Sequence, residues 1–209
     1  CQELACKDVY LNVRYGLKRE DGVLAAGSEV SYDQICLNEA ALAPVFNGSG
    51  LPEYGQNGTL HTFYGDMCFD GSGNMRVAPW KAVFDASEGA LVAYELGEKA
   101  LVEEPLMPCF GRAAIENDLG ARQDGRQDMW RKAEFKVASF DVAKTDSCYV
   151  VSVAYETIGD VADVRMKYEV YADGTLILTE SMADAGKLAE APHMPRFGVD
   201  FAMNGEYST

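Results

Sequence analysis

The stretch "VRMKYEVYADGTLILTES", Val164 to Ser181, limits the possible folds more than any other part of this chain. Val164, Met166, Tyr168 and Val170 alternate with Arg165, Lys167 and Glu169, leaving one face apolar and the other charged. A period of two marks a strand with one buried face, because successive side chains on a strand point in opposite directions. Asp173-Gly174 follows, and a second apolar run begins at Leu176. Asp-Gly between two such runs predicts a hairpin closed by a type I′ turn.

The same signal recurs along the chain. "SCYVVSVAYET" places Tyr149, Val151, Val153 and Tyr155 on one face, and "RVAPWKAVFD" and "GALVAYEL" form a hairpin across "ASE". Phe197, Val199 and Phe201 begin another strand. Only "RQDMWRKAE", Arg126 to Glu134, has helical spacing, with Met129, Trp130 and Ala133 on one side. Near the start, Val9, Leu11, Val13, Tyr15 and Leu17 alternate with polar residues, "REDG" turns the chain, and Ser28 to Asn38 reads as a return strand. Residues 40–57 are rich in Gly, Pro, Asn and Ala and read as a linker. The expected class is therefore all-β, an antiparallel β-sandwich, with an isolated hairpin ahead of it.

Composition narrows the partners. The 209 residues carry 33 acids against 18 bases, a formal charge of −15, which disfavours nucleic acid and anionic membrane surfaces. No apolar run approaches the roughly 20 residues that span a bilayer, and the first residues do not form a signal peptide. Strand-like sequence begins within a few residues of Cys1, which argues against a lipid-anchored tether. The six cysteines are scattered without a CxxC pair or interleaved histidine, so they suggest neither zinc nor disulfide staples. Cys148, within a strand pattern, is expected to be a small buried apolar residue. The compartment stays open between periplasm and cytoplasm.

Few motifs carry chemistry. "DGSGN" from Asp70 has oxygen-bearing side chains at alternate positions, but Met75 and Lys81 stand where a calcium loop needs glycine and glutamate, so it reads as a turn. Asn47 and Asn57 each begin a glycosylation sequon. The two histidines, His61 and His193, sit in no recognisable catalytic motif. The densest cluster of polar groups is "GRAAIENDLGARQDG", residues 111–125, which by its glycines and acids reads as a solvated surface loop.

A resemblance gives this loop a further reading. "APWKAVFDASEGALVAYELGEKALVEEPLMPCFGRAAIENDLGARQDGRQDMWRKAEF" resembles the large C-terminal domain of family 2 glycoside hydrolases of the β-galactosidase type. The matching positions are Phe84, Asp85, Gly89, Leu91, Tyr94, Gly97 and Leu101, then Pro108, Phe110, Arg112, Ala113, Asn117, Asp118, Gly120 and Trp130. Pro195, Arg196, Gly198 and Phe201 match a later marker of the same domain. Residues 1–39 are similar to the last two strands of the immunoglobulin-like domain preceding it. The resemblance implies a partial galactose-mutarotase-like supersandwich over residues 58–209.

It also implies that the acid/base and nucleophile glutamates, and the metals beside them, belong to a (β/α)₈ barrel not found in this sequence. No catalytic residue, metal ligand or cofactor is then expected in the chain itself. Arg112, Glu116, Asn117, Asp118 and Gly120 would form the rim of a β-galactoside site, with the barrel and the rest of the immunoglobulin-like domain as partners. Ala114-Ile115-Glu116 departs from the family's Pro-Thr-Asp, so fine substrate contacts would differ. Two roles for Asp118 stay open: contact with sugar hydroxyls, or a pair with Arg112 that holds the loop. A free-standing carbohydrate-binding module is the alternative function. A sugar epimerase would need a positioned histidine and carboxylate that the motifs do not supply.

Overall fold

A computed structural model describes residues 9–38, 50–69, 75–120 and 125–205. The chain divides into two compact units, Cys1–Val45 and Phe46–Thr209.

In the first unit, strands β1 (Val9–Gly16) and β2 (Glu29–Asn38) pair antiparallel, with Leu11 opposite Ile35 and Val13 opposite Asp33. Alternation makes the strands, but no second layer covers either face among the described residues of this unit. Leu11, Tyr15, Tyr32 and Ile35 are all exposed. A two-stranded ribbon is marginal in water because it cannot bury enough apolar area.

The second unit holds two antiparallel meanders. The first runs β3 (Glu53–Asn57), β4 (Leu60–Phe69), β5 (Met75–Asp85), β6 (Ala90–Leu96) and β7 (Lys99–Val102) in sequence order. Beyond a short strand β8 (Met107–Pro108), the second sheet is β9 (Val137–Lys144), β10 (Cys148–Tyr155), β11 (Ala162–Tyr171) and β12 (Leu176–Asp184). A final short strand, β13 (Val199–Asp200), pairs with β8. The result is an all-β sandwich of antiparallel sheets.

The buried faces meet in one core. Phe63, Trp80, Ala82 and Phe84 come from the first sheet, and Val151, Val153, Val164, Met166, Tyr168 and Val170 from the second. The expected inward set of β11 is the buried set, and Cys148 is buried as expected. Phe84 meets Tyr168 edge-on at 4.9 Å between ring centroids. Each fully buried large apolar side chain contributes roughly 1.5–3 kcal/mol. Backbone latches add direction: Tyr155 Oη donates to Gly89 O at 2.8 Å, and Trp80 Nε1 to Ala172 O at 3.2 Å. Gly89 has φ +68° and lies so close to β9 and β10 that an added Cβ would stand 2.7 Å from Val137 Cγ2. That turn therefore requires glycine both for its dihedral and for its close approach.

Three sequence expectations are corrected. Residues 53–57 are strand although they lie in the expected linker; pairing with β4 supplies the order that their composition does not. The Asp173-Gly174 hairpin does not close with a type I′ turn. Only Gly174 takes positive φ (+84°), Gly174 N donates to Tyr171 O, and Tyr171 N donates to Thr175 O, which makes a three-residue loop. Asp173 keeps an ordinary φ and uses its carboxylate to accept from Thr175 N at 2.9 Å. The strand expected to begin at Phe197 is shorter than its alternation suggests, only Val199–Asp200. The "DGSGN" turn, Asn47 and Gly48 lie outside the described residues.

Two outcomes follow from the burial pattern. Amide exchange in β1 and β2 should be orders of magnitude faster than in β10 and β11; equal protection would mean that the hairpin is covered. Glu180 lies on β12, its Oε1 without a hydrogen-bond partner among the described residues, and burial pushes its carboxyl up to about 7 from an ordinary 4.5. A raised carboxyl pKa contributes stability that is complete below pH 4.5 and lost as pH rises through about 7. Glu180→Gln should flatten this fall and melt higher than wild type above neutral pH, measured by thermal denaturation across pH 4–8.

Candidate functional site

The crossover between the two sheets carries the charged loop. After β8 the chain enters a single helical turn, α1 (Glu116–Gly120), and residues 121–124 lie outside the described set. A second short turn, α2 (Asp128–Arg131), then leads toward β9. Gly111 packs so closely against Arg131 that a Cβ there would lie 2.9 Å from its Cα. Phe110 stacks on Phe197 and meets Trp130 edge-on. Trp130 is buried and donates from Nε1 to Pro192 O at 2.8 Å.

Asp118 is the centre of the loop. Its Oδ2 accepts from Arg112 Nη1 at 2.6 Å and from Ile115 N at 3.0 Å, and its Oδ1 accepts from Arg112 Nη2 at 3.1 Å. The Arg131 guanidinium stands 3.7 Å from Oδ2. The contact with Ile115 N is half of a capping box, in which an acid in the first turn reaches back to an unpaired backbone donor. The bidentate geometry with Arg112 is the stronger form of charged hydrogen bond. The Arg112 hydrogen bonds, with Ile115 N, hold the Asp118 carboxyl below the usual carboxylate range. Arg112 also donates from Nε to Pro195 O at 3.3 Å, which ties the loop to residues 192–196 across the chain.

The candidate rim residues thus separate into two groups. Arg112 and Asp118 face each other and are occupied by one another. Glu116, Asn117 and Gly120 are exposed on α1. His193, which reads in the sequence as a surface or structural residue, lines a surface concavity of about 530 Å³ with Arg126, Glu190, Ala191 and Pro192. Its proximity to the loop comes from the Trp130–Pro192 contact, and no local signal encodes it. His61, by contrast, is a core residue: Tyr54 Oη lies 2.8 Å from its Nδ1, and burial lowers its pKa. Among the described residues no group of three or more His, Cys, Asp or Glu is placed to hold a metal, and no helix is long and apolar enough to cross a membrane.

The molecule is an antiparallel sandwich whose inter-sheet crossover presents one pinned polar turn. Comparison with known proteins specifies it further. Residues 76–209 match the family described as the beta-galactosidase small chain; this covers more than half of the chain, and the chain belongs to that family. It is 25% identical over 211 residues to a Priestia megaterium protein named Beta-galactosidase, covering 100% of this chain and 19% of that protein. It is 27% identical over 195 residues to a Halalkalibacterium halodurans protein of the same name, covering 91% of this chain and 18% of that one. The chain therefore spans about a fifth of the length of these relatives.

The pairing geometry sets an expected outcome. A carboxylate of lowered pKa contributes stability above its ordinary 3.8, and that contribution is lost as pH falls through the lower folded value. Asp118→Ala should give a clear fall in melting temperature at pH 7, because it strands Arg112 and the Ile115 amide. Asn117→Ala, on the exposed side of the same turn, should stay within about 2 °C of wild type. Equal melting of both variants would show that the Arg112–Asp118 pair does not hold the loop.

Proposed function

We propose that this chain is a non-catalytic region of a β-galactosidase that hydrolyses terminal β-D-galactosides, where it supplies the rim of the carbohydrate site and packs against the large chain. The observation that carries the reading is the crossover loop: Asp118 and Arg112 lock α1 into one conformation, and Glu116, Asn117 and Gly120 are left outward on it. Membership of the small-chain family supports the same assignment. A rim of this kind works by preorganisation. The ion pair holds α1 in place before substrate arrives, so an amide such as that of Asn117 meets a sugar hydroxyl without first being ordered. Asp118 acts on substrate through the loop and is a positioning residue. The chemistry of a retaining galactosidase needs two carboxylates about 5 Å apart on opposite sides of one glycosidic bond, and these would come from the large chain.

The isolated chain should not turn over aryl β-galactosides at any pH. Saturable hydrolysis by chain freed of host galactosidase would overturn the assignment. In the assembled enzyme, Asn117→Ala removes one neutral hydrogen bond, worth about 0.5–1.5 kcal/mol, so kcat/KM should drop roughly 2- to 10-fold with melting unchanged. Steady-state kinetics with unaltered kcat/KM would remove Asn117 from the rim.

A further inference from the structure

The exposed large apolar residues of the sandwich unit are not scattered. Among the described residues of 50–205, and apart from Leu60 and Tyr64, they are Ile115, Leu119, Phe197, Phe201 and Met203. All five belong to two stretches that lie side by side. β8 and β13 pair, Cys109 N donates to Gly198 O at 2.6 Å, and Glu103 N donates to Ala202 O at 2.9 Å. Arg112 Nε reaches Pro195 O, and Asp118 anchors α1 to Arg112, so Ile115 and Leu119 are fixed to the same seam. Ile115 and Leu119 are spaced i and i+4, the separation that places side chains on one side of a helical turn.

Exposed apolar residues scattered singly need no explanation, but a grouping on one ordered seam marks a contact surface. Two features choose its occupant. A formal charge of −15 on every copy makes self-association through this seam electrostatically costly. The chain also spans about a fifth of the length of its relatives and belongs to a small-chain family, so much more polypeptide of the same enzyme is available to cover it. Resting on the functional reading above, we propose that the seam marked by Ile115, Leu119, Phe197, Phe201 and Met203 is the docking surface for the large chain of a β-galactosidase. The large chain would bring an apolar counterpart to this seam, and the pinned rim loop would then lie at the margin of the joint.

The test uses the full 209-residue chain and the large chain of the same organism's β-galactosidase, expressed separately, with binding measured by surface plasmon resonance and hydrolysis with an aryl β-galactoside. Leu119→Asp and Met203→Asp should each weaken binding roughly ten-fold or more, as expected for loss of a buried anchor. Leu60→Asp, a loss of exposed apolar surface off the seam, should bind as wild type. Thermal melts of all three variants confirm that they are folded, and Phe201→Ser replaces either seam variant that fails to fold. Wild-type affinity in the seam variants, or equal weakening by Leu60→Asp, would overturn the docking surface while leaving the functional reading intact, provided that the wild-type pair hydrolyses substrate. Self-association of the wild-type chain in sedimentation, abolished by the same substitutions, would assign the seam to a second copy and overturn the proposal. If the wild-type pair neither binds nor hydrolyses, the functional reading falls and the seam proposal falls with it.

Discussion

The joint between the two sheets is the constraint on which the rest of the molecule depends. It is an apolar contact made specific by a few polar latches. Phe84 against Tyr168 supplies area, whereas Tyr155 Oη on Gly89 O and Trp80 Nε1 on Ala172 O fix where each turn sits on the opposite sheet. Tyr94 Oη adds a hydrogen bond to Gly174 O at the same end. Apolar burial is non-directional, so without such latches two twisted sheets could slide past one another. Gly89 and Gly174 show how close the approach is, since Trp80 stands 3.0 Å from the position of a Cβ on Gly174. Trp80, Tyr94 and Tyr155 pack their rings against the joint while the single donor of each finds a carbonyl.

Because the sheets are locked, the segment that crosses between them has both ends fixed. The crossover from β7 to β9 is long, and long irregular connections inside a compact domain are commonly functional. It remains ordered over its described part by two short-range devices, the Asp118 half capping box and the Phe110–Trp130 contact, and one long-range device, the Arg112–Pro195 hydrogen bond. Function and packing are coupled here. The ion pair that leaves Asn117 presented at the surface is also what attaches α1 to the seam of exposed apolar residues. A substitution at Arg112 would therefore disturb the proposed rim and the proposed docking seam together, whereas one at Asn117 would touch the proposed rim alone.

Particular residues show which parts of this arrangement were legible in the sequence. β11 was plain, because its inward positions are apolar and Arg165, Lys167 and Glu169 alternate with them, so period and burial agree. β3 was not, because Glu53, Gly55 and Gln56 carry no apolar alternation, and the strand exists through pairing with β4. The type I′ expectation failed because dipeptide statistics weigh Asp-Gly as a pair. Here Asp173 spends its carboxylate on Thr175 N and leaves the left-handed position to glycine alone. α1 is too short for periodicity to register. The Arg112–Asp118 pair was visible as one of two alternatives, since six residues separate complementary charges in a turn-rich loop. What the sequence could not show was that residues 192–196 come to rest beside that loop, because one hydrogen bond from Trp130 and one from Arg112 join segments far apart in the chain.

The distribution of charge and apolar surface bears on how such a chain works as part of a larger assembly. Its acidic excess opposes the approach of a second copy, since like net charges repel until salt screens them beyond about a Debye length. Contact with a different chain faces no such symmetry, because its charge need not match. At the seam Leu119 and Phe197 are exposed, and the ion pair on the adjoining loop is already closed on itself at Asp118. A charge that is paired internally does not have to be desolvated unpaired when a partner arrives, and unpaired burial is the costly case. In the proposed assembly, closing Arg112 onto Asp118 would serve two ends at once. It would order the proposed rim before substrate binds, and it would keep a free guanidinium out of a surface that has to become dry.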